Sequence, residues 1–120
     1  MRWCAVVLSV LAATASAQGA REGDRAFEAA ELAAVLSGQT LEFFDASLAR
    51  YAHDRSYSYR YRPGDPPFVG AWETNADSEV CVVFDNGFSR CDRIVEAGGR
   101  LVLITAEGLR FPVRAVRPHP

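Results

Sequence analysis

Lysine is missing from this sequence, and its positive charge rests on 13 arginines spread along the chain. Against 15 acidic residues they leave a formal net charge of −2. No basic block or stripe stands out, so the electrostatic footprint of a nucleic-acid binder is lacking and nucleic acid is not expected as a partner. Histidine is nearly as scarce: His53 lies in the body of the chain and His119 beside its end. Asp54 follows His53, but chain neighbours cannot face one another by adjacency, and the nucleophile-elbow pattern around serine is absent. A glycine-rich phosphate loop is absent too, since Gly98-Gly99 reads as a hairpin turn.

Long apolar runs are also few. The one of note, residues 5–15, is too short for a comfortable membrane span. Met1-Arg2 gives it a positive start and Ala15-Ser16-Ala17 a small-residue cleavage site, the pattern of a secretory signal peptide cut after Ala17. Cys4 leaves with that peptide. Export would deliver a chain of roughly 100 residues, enough for one domain and one core and with no further membrane span. The alanine- and arginine-rich, lysine-free composition fits a GC-rich bacterial genome, so the compartment is expected to be periplasmic or secreted.

The two remaining cysteines suit an oxidising compartment. They bracket Cys81-Val-Val-Phe-Asp-Asn-Gly-Phe-Ser-Arg-Cys91, which has the pattern of a β-hairpin. A two-residue Asn86-Gly87 turn would send the two cysteines to opposite faces of the sheet, because strand side chains alternate with period two. A three-residue loop, Asp85-Asn86-Gly87 with Gly87 left-handed, sets Cys81 directly opposite Cys91 and Glu79 opposite Arg93. The spacing therefore predicts that loop and a Cys81–Cys91 disulfide acting as a staple. With both cysteines so used and two histidines left, a transition-metal site has too few ligands, and no metal or other cofactor is expected.

Residues 18–24 read as a flexible N-terminus and 117–120 as a tail. Between them, 25–116 should form a single helix-plus-β-barrel domain. Asp24 can cap a helix over 25–37 that Gly38 ends. Phe27, Ala30 and Ala34, with either Leu32 or Val35 beside Leu36, give it an apolar side, while Glu28 and Glu31 face water. The period then changes to two. Strands are expected over 40–44, 56–62, 68–74, 79–84, 88–96, 100–105 and 109–116, with 45–54 open between a turn of helix and an irregular strand. Pro112 suggests an edge or a bulge. About seven short strands joined by tight turns predict a mainly β fold, a small antiparallel meander barrel or curled sheet with one N-terminal helix.

Strand 56–62 puts Tyr57, Tyr59 and Tyr61 on one face and Ser58, Arg60 and Arg62 on the other. With Trp72 on the next strand, the three tyrosines could line a barrel mouth and stack on a ligand, since these side chains join apolar area to a polar tip. The alternative is that all four are simply core. Carboxylate pairs such as Asp45 with Asp54, or Glu73 with Asp77, could serve a hydrolase, although their spacing matches solvated loop residues equally well.

Leu36-Ser37-Gly38-Gln39-Thr40, Tyr57-Ser58-Tyr59, Gly70-Ala71-Trp72, Glu79-Val80-Cys81 and Cys91 resemble the DUF995-like family of small exported proteobacterial proteins. The resemblance covers residues 36–95 and implies export and fold, with no activity to carry over. A fainter likeness is to periplasmic β-barrel inhibitors of secreted metalloproteases, in which residues 18–23 would be the inhibitory trunk. The resulting expectation is an exported, non-catalytic β-domain that binds a small ligand or a periplasmic protein, the alternatives being an inhibitor-like barrel or a carboxylate-dependent hydrolase.

Overall fold

The chain runs as an antiparallel meander whose last strand returns to pair with the strand that follows the helix. The computed structural model describes residues 18–119. The expected signal peptide, 1–17, lies outside the described residues. Nine strands and one helix follow in the order β1 (Arg25–Ala26), α1 (Ala29–Leu36), β2 (Gln39–Phe43), β3 (Leu48–Tyr51), β4 (Ser56–Arg60), β5 (Phe68–Thr74), β6 (Glu79–Phe84), β7 (Ser89–Ala97), β8 (Arg100–Ile104) and β9 (Arg110–Pro118). Strands β2 to β9 pair antiparallel with their sequence neighbours, and β9 closes on β2, giving an eight-stranded meander barrel. Strand β1 adds outside the ring, against the end of β7, with Ala26 opposite Val95.

Two strands exceed the sequence expectation. The undecided stretch 45–54 holds β3, and the segment assigned to the start of a helix holds β1. The helix begins later than expected, at Ala29, and Asp24 does not cap it: its carboxylate is taken by Arg110, and Glu28 stands at the N-cap without a side-chain bond. Its buried stripe is Leu32 and Leu36, flanked by the partly buried Ala33, while Ala30 and Ala34 face solvent. Thr74 donates to the carbonyl of Ala29 at 2.7 Å and so pins the helix to β5. The helix, with Phe27, seals one end of the barrel over a core that includes Trp72, Val80, Ile94 and Leu41.

Residues 18–24, expected to be flexible, lie on the outer wall. Gly19 sits against Gly108 and Ile104 so closely that a Cβ there would collide with the Gly108 carbonyl. Its own carbonyl accepts from Arg110 Nη1 at 2.9 Å. The outward-facing Val95, Val102 and Ile104 are buried as a second cluster, with Gly19 packed against Ile104. At the other end, β9 runs on to Pro118 opposite Gln39, and the His119 amide donates to the carbonyl of Gly38, so the expected tail is part of the closing seam. Pro112 falls where β9 is paired with β8 alone, just short of the Phe43–Val113 contact that begins the β2 ladder, so its missing N–H disrupts no bond there.

The hairpin register came out as the cysteine spacing requires. Cys81 lies opposite Cys91 and Glu79 opposite Arg93, with the Sγ atoms at the disulfide distance of 2.02 Å. The same three-residue turn recurs around the barrel. The closing bonds Phe43 to Ser47, Ala52 to Ser56, Phe84 to Phe88 and Thr105 to Leu109 share one pattern, each with a left-handed residue fourth in the five, namely Ala46, Arg55, Gly87 and Gly108. At Asn75 to Glu79 the left-handed residue is Ser78.

Candidate functional site

Because a meander alternates its ends, the connections after β2, β4, β6 and β8 gather at the end away from α1. There the inward residues do not meet across the barrel, and the walls enclose a cup of about 520 Å³. That volume lies in the range of small-molecule sites. Phe43, Ala49, Tyr57, Phe84, Leu103 and Phe111 form the walls. Tyr59 and Tyr61 climb toward the mouth, where Phe68, Phe88 and Leu109 complete an apolar rim.

The aromatic rings form two connected groups. In the deeper one, Trp72 meets Tyr51 edge-on at 5.5 Å, Tyr51 meets Tyr57 at 5.2 Å, and Tyr57 meets Phe84 at 5.8 Å. At the mouth, Tyr61 stands edge-on to Tyr59 at 4.8 Å and to Phe68 at 5.8 Å. Offset and edge-on contacts of this kind add to the value of the buried area alone. The three tyrosines thus share one face as expected and span the depth of the cup: Tyr57 is buried, Tyr59 half-buried and Tyr61 exposed.

Trp72 does not line the cup, which corrects the expectation that it joins the tyrosines at the mouth. Its register opposite Val82 places it toward the sealed end, 2 % exposed. Its indole donates to the carbonyl of Ala52 at 3.0 Å, and the Arg55 guanidinium covers its ring at 4.4 Å. Gly70, two residues earlier, permits a close approach of β6, since a Cβ there would collide with the Val83 carbonyl.

The charged groups of the cup come from the hairpin turns and from β7. Asp45 accepts the Ser47 hydroxyl at 2.6 Å and the Ser47 amide at 2.9 Å, and these bonds hold its carboxyl below the usual carboxylate range. Arg90 and Asp92 project inward from β7 on the face opposite Cys91. The guanidinium holds the nearly buried carboxylate bidentately, Nε to Oδ2 at 2.8 Å and Nη2 to Oδ1 at 2.7 Å. That bond raises the Arg90 pKa, so the guanidinium stays charged. Burial pushes the Tyr57 and Tyr59 hydroxyls upward, so both stay protonated and act as hydrogen-bonding groups rather than as bases.

Neither proposed carboxylate pair comes together in the cup. Asp45 belongs to the mouth, whereas Asp54 bonds Ser56 in the β3–β4 turn at the sealed end. Glu73 lies on β5 opposite Cys81, and Asp77 sits in the β5–β6 turn, both away from the cup lining. His53 also lies at the sealed end, 2.9 Å from the Ser37 hydroxyl and over Gly38. Arg90 and Asp92 were not singled out from the sequence, yet the disulfide register carries their position: residues flanking an outward Cys91 must point inward.

The fold and cup together define a small antiparallel β-barrel with one end plugged by a helix and the other open. Compared with protein-family models, curated proteins and solved structures, the chain has no match.

Proposed function

We propose that this is an exported, non-catalytic binding barrel that takes a small, largely apolar ligand into its open end. One observation carries the reading: a cup of about 520 Å³ with aromatic walls and a single engaged ion pair. Such a concave, mostly apolar surface with few convergent polar groups is the usual form of a ligand site. Export is supported by the leader-like residues 1–17, by the Cys81–Cys91 bond, and by the finding that no helix among the described residues is long and apolar enough to cross a membrane. The likeness to DUF995-like exported proteins belongs to this proposal and agrees with it.

The test is uptake of the uncharged fluorophore 1-N-phenylnaphthylamine by the mature protein. Saturable one-to-one uptake is expected, weakened severalfold by Tyr59→Ala and by Phe88→Ala and unaffected by Val116→Ala, an exposed position away from the cup lining. A linear, unsaturable signal, or equal uptake by all four proteins, would overturn the reading. Intact mass of the same preparation should give a chain beginning at Gln18 and lighter by two hydrogens than its reduced form.

A further inference from the structure

We infer that the cup selects organic cations that carry apolar groups; this rests on the ligand-binding reading above and names its ligand class. Among the described residues, four charged side chains line the cup: Asp45, Asp92 and Glu107 against Arg90. Arg90 is spent on Asp92, both oxygens of which it holds, so the pair is neutral as a unit. Asp45 and Glu107 remain, and among the described residues neither is ion-paired. Asp45 is satisfied by Ser47, which fixes its position and keeps it ionised without cancelling its charge. The cup therefore carries an excess of two negative charges between low-dielectric walls, a geometry that concentrates counter-charge.

The walls point the same way. Ring faces carry negative potential and attract cations, most strongly where the cation is desolvated and weakly hydrated, as a quaternary ammonium is. Tyr57 and Tyr59 stay neutral, and with Tyr61 they line the cup from the floor to the mouth. An anion would meet two unpaired carboxylates and would have to displace Asp92 to gain both of the Arg90 groups that now hold it. An uncharged ligand would gain the apolar area and nothing more.

The experiment displaces 1-N-phenylnaphthylamine with three probes of one shape: benzyltrimethylammonium, its carbon isostere neopentylbenzene, and benzylsulfonate. The cation is expected to bind about tenfold more tightly than neopentylbenzene at low salt, with the sulfonate weakest. The preference should narrow as salt rises. Glu107→Gln, an exposed turn position outside the barrel core, should cost the cation severalfold and leave the isostere unchanged. Equal or tighter binding of neopentylbenzene or benzylsulfonate would overturn the charge selectivity while leaving the binding reading intact. Saturable binding of neither the fluorophore nor any probe would overturn that reading and this inference together.

Discussion

Arg110 grips Asp24 through two parallel hydrogen bonds, Nη1 to Oδ2 at 2.7 Å and Nη2 to Oδ1 at 2.9 Å, with only 11 % and 8 % of the two side chains exposed. The pair ties the N-terminal segment to the start of β9. The Arg110 bond holds the Asp24 carboxyl down at about 2, against 3.8 for a free aspartate. The folded chain thus binds this proton less readily than the unfolded one. The stabilisation is complete above about pH 4, shrinks as the pH falls through the interval toward 2, and is gone below it. Replacing Arg110 by Met should cost about 1–2 kcal/mol at pH 7, allowing for solvent screening. Urea melts from pH 5 to pH 2 should show a smaller acid loss in Arg110→Met than in the parent. Parallel losses would mean that the pair is not the acid-sensitive element.

Ser78 is a buried bolt at the sealed end of the barrel, joining the segment before α1 to β7. It is fully hidden and left-handed, accepts the Phe27 amide at 2.8 Å and donates to the carbonyl of Ile94. Ser78→Gly keeps the backbone easy but orphans both partners, so it should cost about 2–3 kcal/mol. Ser78→Ala should cost more than Ser78→Gly, because it keeps the Cβ strain at positive φ that glycine relieves. If thermal melting ranks alanine above glycine, the left-handed backbone is not what limits this site.

Ala46 offers the opposite case. It holds φ at 71° with no buried bond from its side chain, in a turn already braced by Asp45 and Ser47. Glycine relieves the steric cost of that conformation but adds freedom to the unfolded chain, and the first effect is the larger. Ala46→Gly should raise stability by about 0.5–1 kcal/mol. Chemical denaturation decides it, and a lower midpoint for the variant would contradict the assignment.

The Cys81–Cys91 bond closes a short loop with a sequence separation of 10. Reduction should lower stability by about 2–3 kcal/mol in the loop-closure account. It should also loosen the strand that carries Arg90 and Asp92 into the cup, weakening fluorophore uptake. Paired titrations with and without reductant separate the two effects. Undiminished uptake by reduced, still folded protein would show that the staple serves stability alone.

The sequence was most readable where glycine or cysteine left a single geometric choice. Gly87 with the two cysteines determined the β6–β7 register, and Gly38 marked the helix end. The turn before β3 stayed hidden because its left-handed residue is Ala46, whose backbone the side chains of Asp45 and Ser47 stabilise instead of glycine. The same Asp-x-Ser pattern returns at Asp54-Arg55-Ser56, and reading that repeat would have revealed β3 between two hairpins. Asp24 had the chemistry of a helix cap, and only its long-range partner Arg110 decided otherwise. Trp72 was ambiguous for a different reason: alternation gives the face of a strand, not its depth along the barrel axis. Two of the motif glycines gained a physical role, Gly38 beneath the His53 ring and Gly70 against the Val83 carbonyl.

The closure of β9 on β2 places Gln39 opposite Pro118, whereas every other ladder of the ring joins strands adjacent in the chain. Hairpins between neighbours can form within microseconds as local units. The seam must instead bring together segments separated by nearly the whole domain before any of its contacts is made, and loop-closure entropy is charged in advance. Folding speed is therefore governed by the seam: its residues set the nucleation barrier, while the stapled hairpin at the mouth sets only how long the finished barrel endures.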